Sequence, residues 1–365
     1  MLWIFVLLFL LLATIGGFVF VVWRIANFKI FEKFGSKKRV MFITTFAMCL
    51  CFAVLVLITG LWNAMVYLIH LLIFWLLSDG LFWLFGRRKD KRKRSFFAGI
   101  TAISITIIYI GVGTFLAFYV YRTEYKVTTD NLNNNFKIVG FSDSHTGTTF
   151  AGKDFSKYVK RMNNENADIA VIVGDFVDDD TSREDMVSAC KELKNLKTNY
   201  GTYFVFGNHD AGYYNNSRRG YSRDDLITEL KKNNVTVLED ECINIIDNIF
   251  LIGRKDAEQK DRKSVESLTV DIPENACKIV LDHQPKEYEN EVAAKVTLVL
   301  SGHTHGGQLI PINYVGEWFD INDMTYGMKK INNTNFIVSS GISDWAFKIK
   351  TGCISEYFVI NVAKE

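Results

Sequence analysis

Four apolar stretches near the amino terminus constrain this chain more than any other feature. They are Leu2–Trp23, Val40–Gly60, Leu61–Phe85 and Phe96–Tyr121. Each has the roughly 20 residues a helix needs to cross the ~30 Å hydrocarbon layer of a bilayer. The hydropathy rule reads all four as membrane spans, with Thr59-Gly60-Leu61-Trp62-Asn63 as the turn between the second and third. The first stretch has no positive n-region and its apolar run is long, so it reads as a retained helix rather than a signal peptide.

Positive charge sets the orientation. Arg24, Lys29, Lys33, Lys37, Lys38 and Arg39 crowd the loop after the first span. Arg87, Arg88, Lys89, Lys91, Arg92, Lys93 and Arg94 crowd the loop after the third. Two spans separate these loops, so they share a side, and the positive-inside rule makes that side the cytoplasm. The expectation is a multi-pass cell-membrane protein with everything after the fourth span extracytoplasmic. The basic loops could also meet anionic headgroups of membrane lipid, but a role in topology is the plainer reading. Within the spans, His70 and Asp79 stand nine residues apart and share no helix face. Interhelical hydrogen bonding or snorkelling explains them more simply than proton or ion handling.

The chain holds 42 Lys/Arg and 40 Asp/Glu, unevenly placed. The basic excess lies in residues 1–126 and the acidic excess in 127–365. An acidic water-soluble part repels phosphate backbones, which excludes a dedicated nucleic-acid binder as partner or function. A nuclease is disfavoured further by the lack of a basic, aromatic-lined groove. With 14% aromatic residues and only 3 prolines, the chain is not low-complexity disorder.

Residues 1–121 thus form a transmembrane region. The polar, Asn-ended stretch 122–135 reads as a linker, and 136–365 as one further domain. In that domain Phe136–Phe141, Ile169–Val173, Thr202–Phe206, Val235–Leu238, Ile249–Ile252, Lys278–Leu281, Thr297–Leu300, Phe336–Val338 and Tyr357–Val362 are strand-like runs. Lys153–Asn166, Ser182–Thr198 and Asp224–Asn233 are helical in pattern. Early alternation and later clustering of strands predict an α/β domain of packed sheets with outer helices. Cys190, Cys242, Cys277 and Cys353 have no paired close spacing and predict no disulfide framework.

The chemistry follows the strands. After five of them come Ser142-Asp143-Ser144-His145, Gly174-Asp175-Phe176-Val177-Asp178, Gly207-Asn208-His209-Asp210, Asp282-His283-Gln284-Pro285 and Ser301-Gly302-His303-Thr304-His305-Gly306-Gly307-Gln308. Ligands of open α/β sheets bind outside the carboxyl ends of strands. Of the 6 His in the chain, all but His70 fall in these clusters. Asp143/His145 and His303/His305 are two apart, a spacing that on extended backbone turns both side chains to one face and lets each pair converge on one centre. Asp and His suit Zn, Mn or Fe, and the absence of Cys weighs against a structural zinc. Singly, each cluster is a weak signal. An Asp-x-His is common, Asn-His-Asp could cap a helix, and a lone His283 could be a hydrogen-bonded core residue. Together and in this order they leave the bland readings little room.

The ordered set resembles the calcineurin-like metallophosphoesterase superfamily over residues 136–365, and Gly306-Gly307-Gln308 is similar to a bacterial membrane-anchored subgroup. The resemblance implies a four-layer α-β-β-α sandwich with two divalent metal ions, Mn, Fe, Zn or Co. It implies that Asp143, His145 and His305 hold the first, that Asn208, His283 and His303 hold the second, and that Asp175 bridges them. It implies a phosphoric ester hydrolase acting on a phosphate-ester substrate, a monoester or a diester of envelope, lipid or nucleotide. A hydroxide held between the metals would attack phosphorus, with His209 assisting the leaving group. Asp178 would act behind the ligands, or else be one of the exposed acids Asp178-Asp179-Asp180. The sequence departs from the subgroup near its end, where Lys350-Thr351-Gly352 replaces Arg-Leu-Gly and Ser355-Glu356 replaces Pro-Glu. The alternative function is a membrane sensor or transport-related protein that uses such a domain for binding only.

Overall fold

A computed structural model describes residues 2–85, 91–212, 219–345 and 347–364. Arg87, Arg88 and Lys89 of the second basic loop lie outside the described residues. The chain forms two compact units, one of Met1–Thr114 with a short piece up to Lys348, and one of Phe115–Trp345 with Ile349–Glu365.

In the first unit, helix α1 covers Leu2–Ala26, α2 Lys37–Thr59, α3 Leu61–Phe85 and α4 Lys91–Phe118. All four are long and apolar enough to cross a membrane. They turn Phe42, Leu57, Ile58, Trp83 and Phe85 outward and keep a thin core of Val21, Phe28, Leu68, Trp75 and Ala102. That inversion suits a lipid solvent, which makes outward apolar side chains favourable. Gly60 separates α2 from α3 at φ +85°, a conformation open to glycine, and its amide donates to the Val56 carbonyl at 2.9 Å. The polar residues pair within the unit. Arg24 grips Asp79, with Nη2 donating to Asp79 Oδ1 at 2.8 Å and to Ser95 Oγ at 3.0 Å. His70 Nδ1 lies 2.8 Å from the Val66 carbonyl, and its ring stacks on Tyr109 with centroids 5.1 Å apart.

The second unit is built on two six-stranded sheets. The first contains β1 (Val120–Thr129), β2 (Phe136–Phe141), β3 (Ile169–Val173), β4 (Thr202–Val205), β5 (Val235–Val237) and β12 (Ser355–Lys364), in the order β1-β12-β2-β3-β4-β5. The second contains β6 (Glu241–Ile246), β7 (Ile249–Gly253), β8 (Cys277–Leu281), β9 (Leu298–Ser301), β10 (Gly327–Ile331) and β11 (Thr334–Val338), in the order β10-β11-β9-β8-β7-β6. Strands β2 to β5 run parallel to one another, as do β7, β8, β9 and β11.

Alternation along β3 explains the layering. Ile169, Val171 and Val173 enter the core between the sheets, where they join Leu251, Ile279 and Leu298. Ala170 and Ile172 face the other way, into a core with Phe155, Met186 and Leu226. Those residues belong to α5 (Phe155–Asn163), α6 (Arg183–Leu193) and the helix Arg223–Lys232. On the far side, Ile252, Val280 and Val299 pack with Val265 and Tyr288 of two short helices. The result is the expected α-β-β-α sandwich. A strand buried on both faces reads as an unbroken apolar run, which is why β2, β3 and β8 stand out in the sequence.

The linker expected over 122–135 is a strand for much of its length. β1 pairs in parallel with β12 from Val120↔Ser355 to Thr129↔Lys364. It lies at the sheet edge, so Arg122, Glu124 and Lys126 alternate with more covered neighbours, and polar composition hid a period of two. The fourth apolar stretch accordingly leaves its helix at Phe118, short of Tyr121. β6 and β10, both at edges and largely exposed, escaped notice for the same reason.

Candidate metal centre

The carboxyl ends of β2, β3, β4, β8 and β9 deliver the five polar clusters to one place. The backbone there is strained. Asp143 (φ 52°), His145 (35°), Asp175 (50°), His303 (71°) and His305 (48°) all occupy the left-handed region that non-glycine residues avoid. The pairs two apart therefore do not sit on extended backbone. Asp143 and His145 still converge on one group. His303 and His305 separate into different groups.

In the first group, Asp143, His145 and His305 bring their ligand atoms within 4.8 Å of one another. His145 Nε2 faces His305 Nε2 at 3.1 Å, and His305 Nε2 lies 3.7 Å from Asp143 Oδ1. Asp175, His283 and His303 form a second group. Asn208 joins it through Oδ1, 3.0 Å from His303 Nδ1. Asp175 Oδ2 lies between the groups, 3.7 Å from His145 Nε2 and 3.1 Å from His283 Nε2. The seven residues expected as ligands thus lie together at these strand ends.

His209 belongs to a third group, with His145 and Asp178, whose ligand atoms also lie within 4.8 Å of one another. Its Nδ1 is 3.1 Å from Asp178 Oδ1 and 3.4 Å from Asp179 Oδ2, and its backbone amide donates to Asp175 Oδ1 at 2.9 Å. Asp178 is not a solvated acid. It reaches His209 with one oxygen and His145 Nδ1 with the other, at 3.4 Å. Asp179 had no sequence signal apart from its place in an acidic run. The Trp345 ring, 5.4 Å from that of His209, had none at all.

Electrostatics divide the site. Burial opposes ionisation of Asp175, but His283, His209 and His145 hold its carboxyl well below the usual carboxylate range. Burial likewise opposes a charged His283, yet Asp175 and Asp143 hold it well above the ordinary imidazole value. Burial, with His283 adding to it, pushes His303 down to about 3. Burial and His145 push His305 well down. Burial raises Asp143. For His209 the loss of water is outweighed by Asp178, Asp175 and Asp179, and its pKa rises to about 9.

The donor set fits divalent cations. Two neutral imidazoles aimed nitrogen to nitrogen at 3.1 Å repel unless a cation or proton lies between them. His283 Nδ1 donates to the Val173 carbonyl at 2.8 Å, the outer bond that fixes a ligating tautomer, and leaves Nε2 turned toward Asp175. Asp143, His145, His305 and Asp175 would hold one ion, and Asn208, His283, His303 and Asp175 the other.

Neighbours hold this geometry. A Cβ on Gly174, itself at φ +75°, would strike the His283 ring, and one on Gly302 would strike Asp143. Asp210, fully buried, accepts from the amides of Val177 (3.0 Å) and Gly207 (2.9 Å), tying the β3 and β4 exits together. Asp282 is gripped by Arg254 at 2.8 Å and by Arg262, which anchors the turn carrying His283. Lys350 does not line a substrate pocket. Its buried Nζ donates to the carbonyls of Ser340 (2.7 Å), Gly341 (3.4 Å) and Ser343 (3.2 Å) and lies 3.3 Å from Asp344. That loop in turn bonds the Asp143 segment, from Ile342 N to the Ser142 carbonyl at 2.9 Å. Glu356 accepts from Tyr326 (3.0 Å), Ser339 (3.1 Å), the Ser340 amide (3.2 Å) and Thr123, so it ties β12 to β1 and to the same loop.

Residues 136–307 match the calcineurin-like phosphoesterase family. An uncharacterised metallophosphoesterase of Campylobacter jejuni is 27% identical over 72% of this chain and 68% of its own length. One of Aquifex aeolicus is 31% identical over 57% of this chain and 78% of its own. A bovine transmembrane protein with metallophosphoesterase domain is 31% identical over 61% of this chain, which spans only 52% of that relative. Family match and strand-end geometry coincide on the same residues, and the chain belongs to the calcineurin-like metallophosphoesterases, a family of phosphoric ester hydrolases.

Proposed function

We propose that this protein is a membrane-anchored metallophosphoesterase that hydrolyses phosphomonoester or phosphodiester bonds outside the cytoplasm. One observation carries the reading. A single carboxylate oxygen, Asp175 Oδ2, lies 3.7 Å from one histidine group and 3.1 Å from the other. A shared oxygen between two such groups is what a two-metal site needs. When bound, two divalent cations supply Lewis acidity at the phosphoryl oxygens and an activated water near neutral pH.

The chain's own residues do the rest. Asp143, His145, Asp175, Asn208, His283, His303 and His305 hold and space the charge that receives the phosphate. His209 turns Nδ1 toward Asp178 and Asp179, and in this reading its other ring nitrogen, Nε2, donates to the departing oxygen. The same acids keep the ring protonated at neutral pH, the form an acid catalyst requires. Asp178 also meets the back of His145, so it positions a ligand and the acid together. The four apolar helices anchor this centre, and the Lys/Arg bias of their loops favours its display on the extracytoplasmic face. Phosphate esters of the envelope, of lipids or of nucleotides are the substrates within reach there.

The test uses the full-length protein, stripped of metal and reloaded with Mn, Zn, Fe or Co. Hydrolysis of a chromogenic phosphodiester and the matching monoester is followed in parallel. Metal-dependent turnover that vanishes in Asp175→Asn is expected. A folded protein that takes up two ions and turns over neither ester would shift the reading to a domain used for binding.

A further inference from the structure

The second unit shows large apolar side chains in one place. Ile310, Ile312, Tyr314, Trp318, Phe319 and Ile321 are all at least half exposed, with Trp318 at 67% and Phe319 at 72%. They crowd the segment that leaves the His305–Gly307 turn and leads to β10. Elsewhere in the described part of this unit beyond β1, the exposed large apolar residues are scattered, and of Tyr200, Val270, Met328 and Trp345 only Val270 is more than half exposed. Single exposed apolar residues are ordinary, whereas a cluster on one loop signals something that covers it.

The loop is built to present these side chains. The Gln308 carbonyl accepts from the Thr351 amide at 2.8 Å, and the Ile310 amide donates to Thr351 Oγ1 at 3.1 Å. Ile321 N donates to the Gly316 carbonyl at 2.8 Å, and the Thr325 amide to Glu317 Oε1 at 2.7 Å. Leu309 and Met324 are buried and anchor both ends. Ile310 and Ile321 join these bonds through their backbone amides, which any residue but proline would supply, so the bonds do not require apolar side chains there.

We propose that this face, residues 310–321, docks on the surface of a lipid bilayer. The mixture is that of an interfacial element, with Trp and Tyr for the headgroup level and Ile and Phe for the acyl boundary. Lipid is also the partner that the chain itself keeps at hand. Its four helices are of bilayer length, and α4 ends at Phe118 while β1 starts at Val120. One residue of tether gives the domain a high effective concentration at the membrane surface, so modest apolar burial suffices for docking. Docking would hold the turn that carries His305 at the lipid surface.

Full-length protein and its Trp318→Phe variant are reconstituted in phosphatidylcholine nanodiscs, with and without dibrominated acyl chains. The chain has 7 Trp, and the difference between the two emission spectra isolates Trp318. The variant keeps an aromatic ring at an exposed position, so the fold is preserved. Docking predicts loss of most of the difference signal with brominated chains and little loss with aqueous iodide. Quenching by iodide alone overturns the proposal. Protection from both quenchers overturns it too, since a protein partner or a second copy would then cover the face. The measurement needs no turnover, so it is decided separately from the catalytic reading.

Discussion

His209 and Asp344 show how burial and charge decide a residue's use. His209 meets two carboxylates through Nδ1 and groups with His145 and Asp178, not with either of the two sets proposed to hold the ions. On that assignment its replacement should remove chemistry without removing metal. In His209→Ala we expect kcat on a poor leaving group to fall by about 10²–10⁴, the usual scale for a lost general acid, with metal content unchanged. Kinetics alongside elemental analysis tests this, and loss of one ion with the activity would make His209 a ligand instead. Asp344 is a different case. Burial pushes its pKa from 3.8 up to about 6, although Lys350 pulls the other way. A raised carboxyl pKa means that the fold favours the neutral form. Its contribution to stability is fully present below about pH 4 and is lost as pH rises through about 6. Asp344→Asn should flatten that part of the stability profile, a difference on the order of 1–3 kcal/mol. Lys350 keeps its three carbonyl partners in the variant. Thermal melts of both proteins between pH 4 and pH 7 decide it, and parallel profiles would refute the assignment.

At the scale of elements, the site depends on how strands end. Gly174 closes β3 at φ +75° and leaves no room for a Cβ beside His283. Gly174→Ala should cost about 1–3 kcal/mol in strain. It should also displace the His283 ring and weaken the ion held with Asn208 and His303 more than the one held with His145 and His305. Metal titration monitored by calorimetry would show two unequal sites in the variant, and two unchanged affinities would contradict the argument. This level was only partly legible in the sequence. Interior strands such as Ile169–Val173 announced themselves because both faces are buried, and the residues after them followed by position. Edge strands did not, because Arg122, Glu124 and Lys126 carry the polarity of a linker on the geometry of a strand. The candidate ligands could be chosen by type and order, but their grouping could not. Spacing on extended backbone put His303 and His305 on one centre, but the backbone there is not extended and the two fall in different groups. The contact of Asp178 with two histidines, and the burial of Lys350 under its own loop, depend on tertiary packing that no local pattern records.

Across the whole molecule, charge is sorted along the chain. The basic excess sits among the apolar helices and the acidic excess in the α/β unit. Positive residues resist crossing a membrane held negative inside, so Arg24–Arg39 and the loop after α3 should stay cytoplasmic. If all four helices span, an even number separates those two loops and one more follows the second, so the proposed topology puts the phosphoesterase unit on the opposite side. The acidic excess is consistent with that placement, since Asp and Glu have little influence on orientation. An alkaline phosphatase fused after Glu365 should therefore be active in a bacterial host, and a green fluorescent protein at the same position should stay dark. Replacing Lys29, Lys33, Lys37 and Lys38 with Gln should erode that contrast, because it weakens the bias that sets it. A bright fluorescent fusion with a silent phosphatase fusion in the unaltered chain would place the metal centre in the cytoplasm. The proposed reaction could survive that result, but its substrates would have to come from the other leaflet.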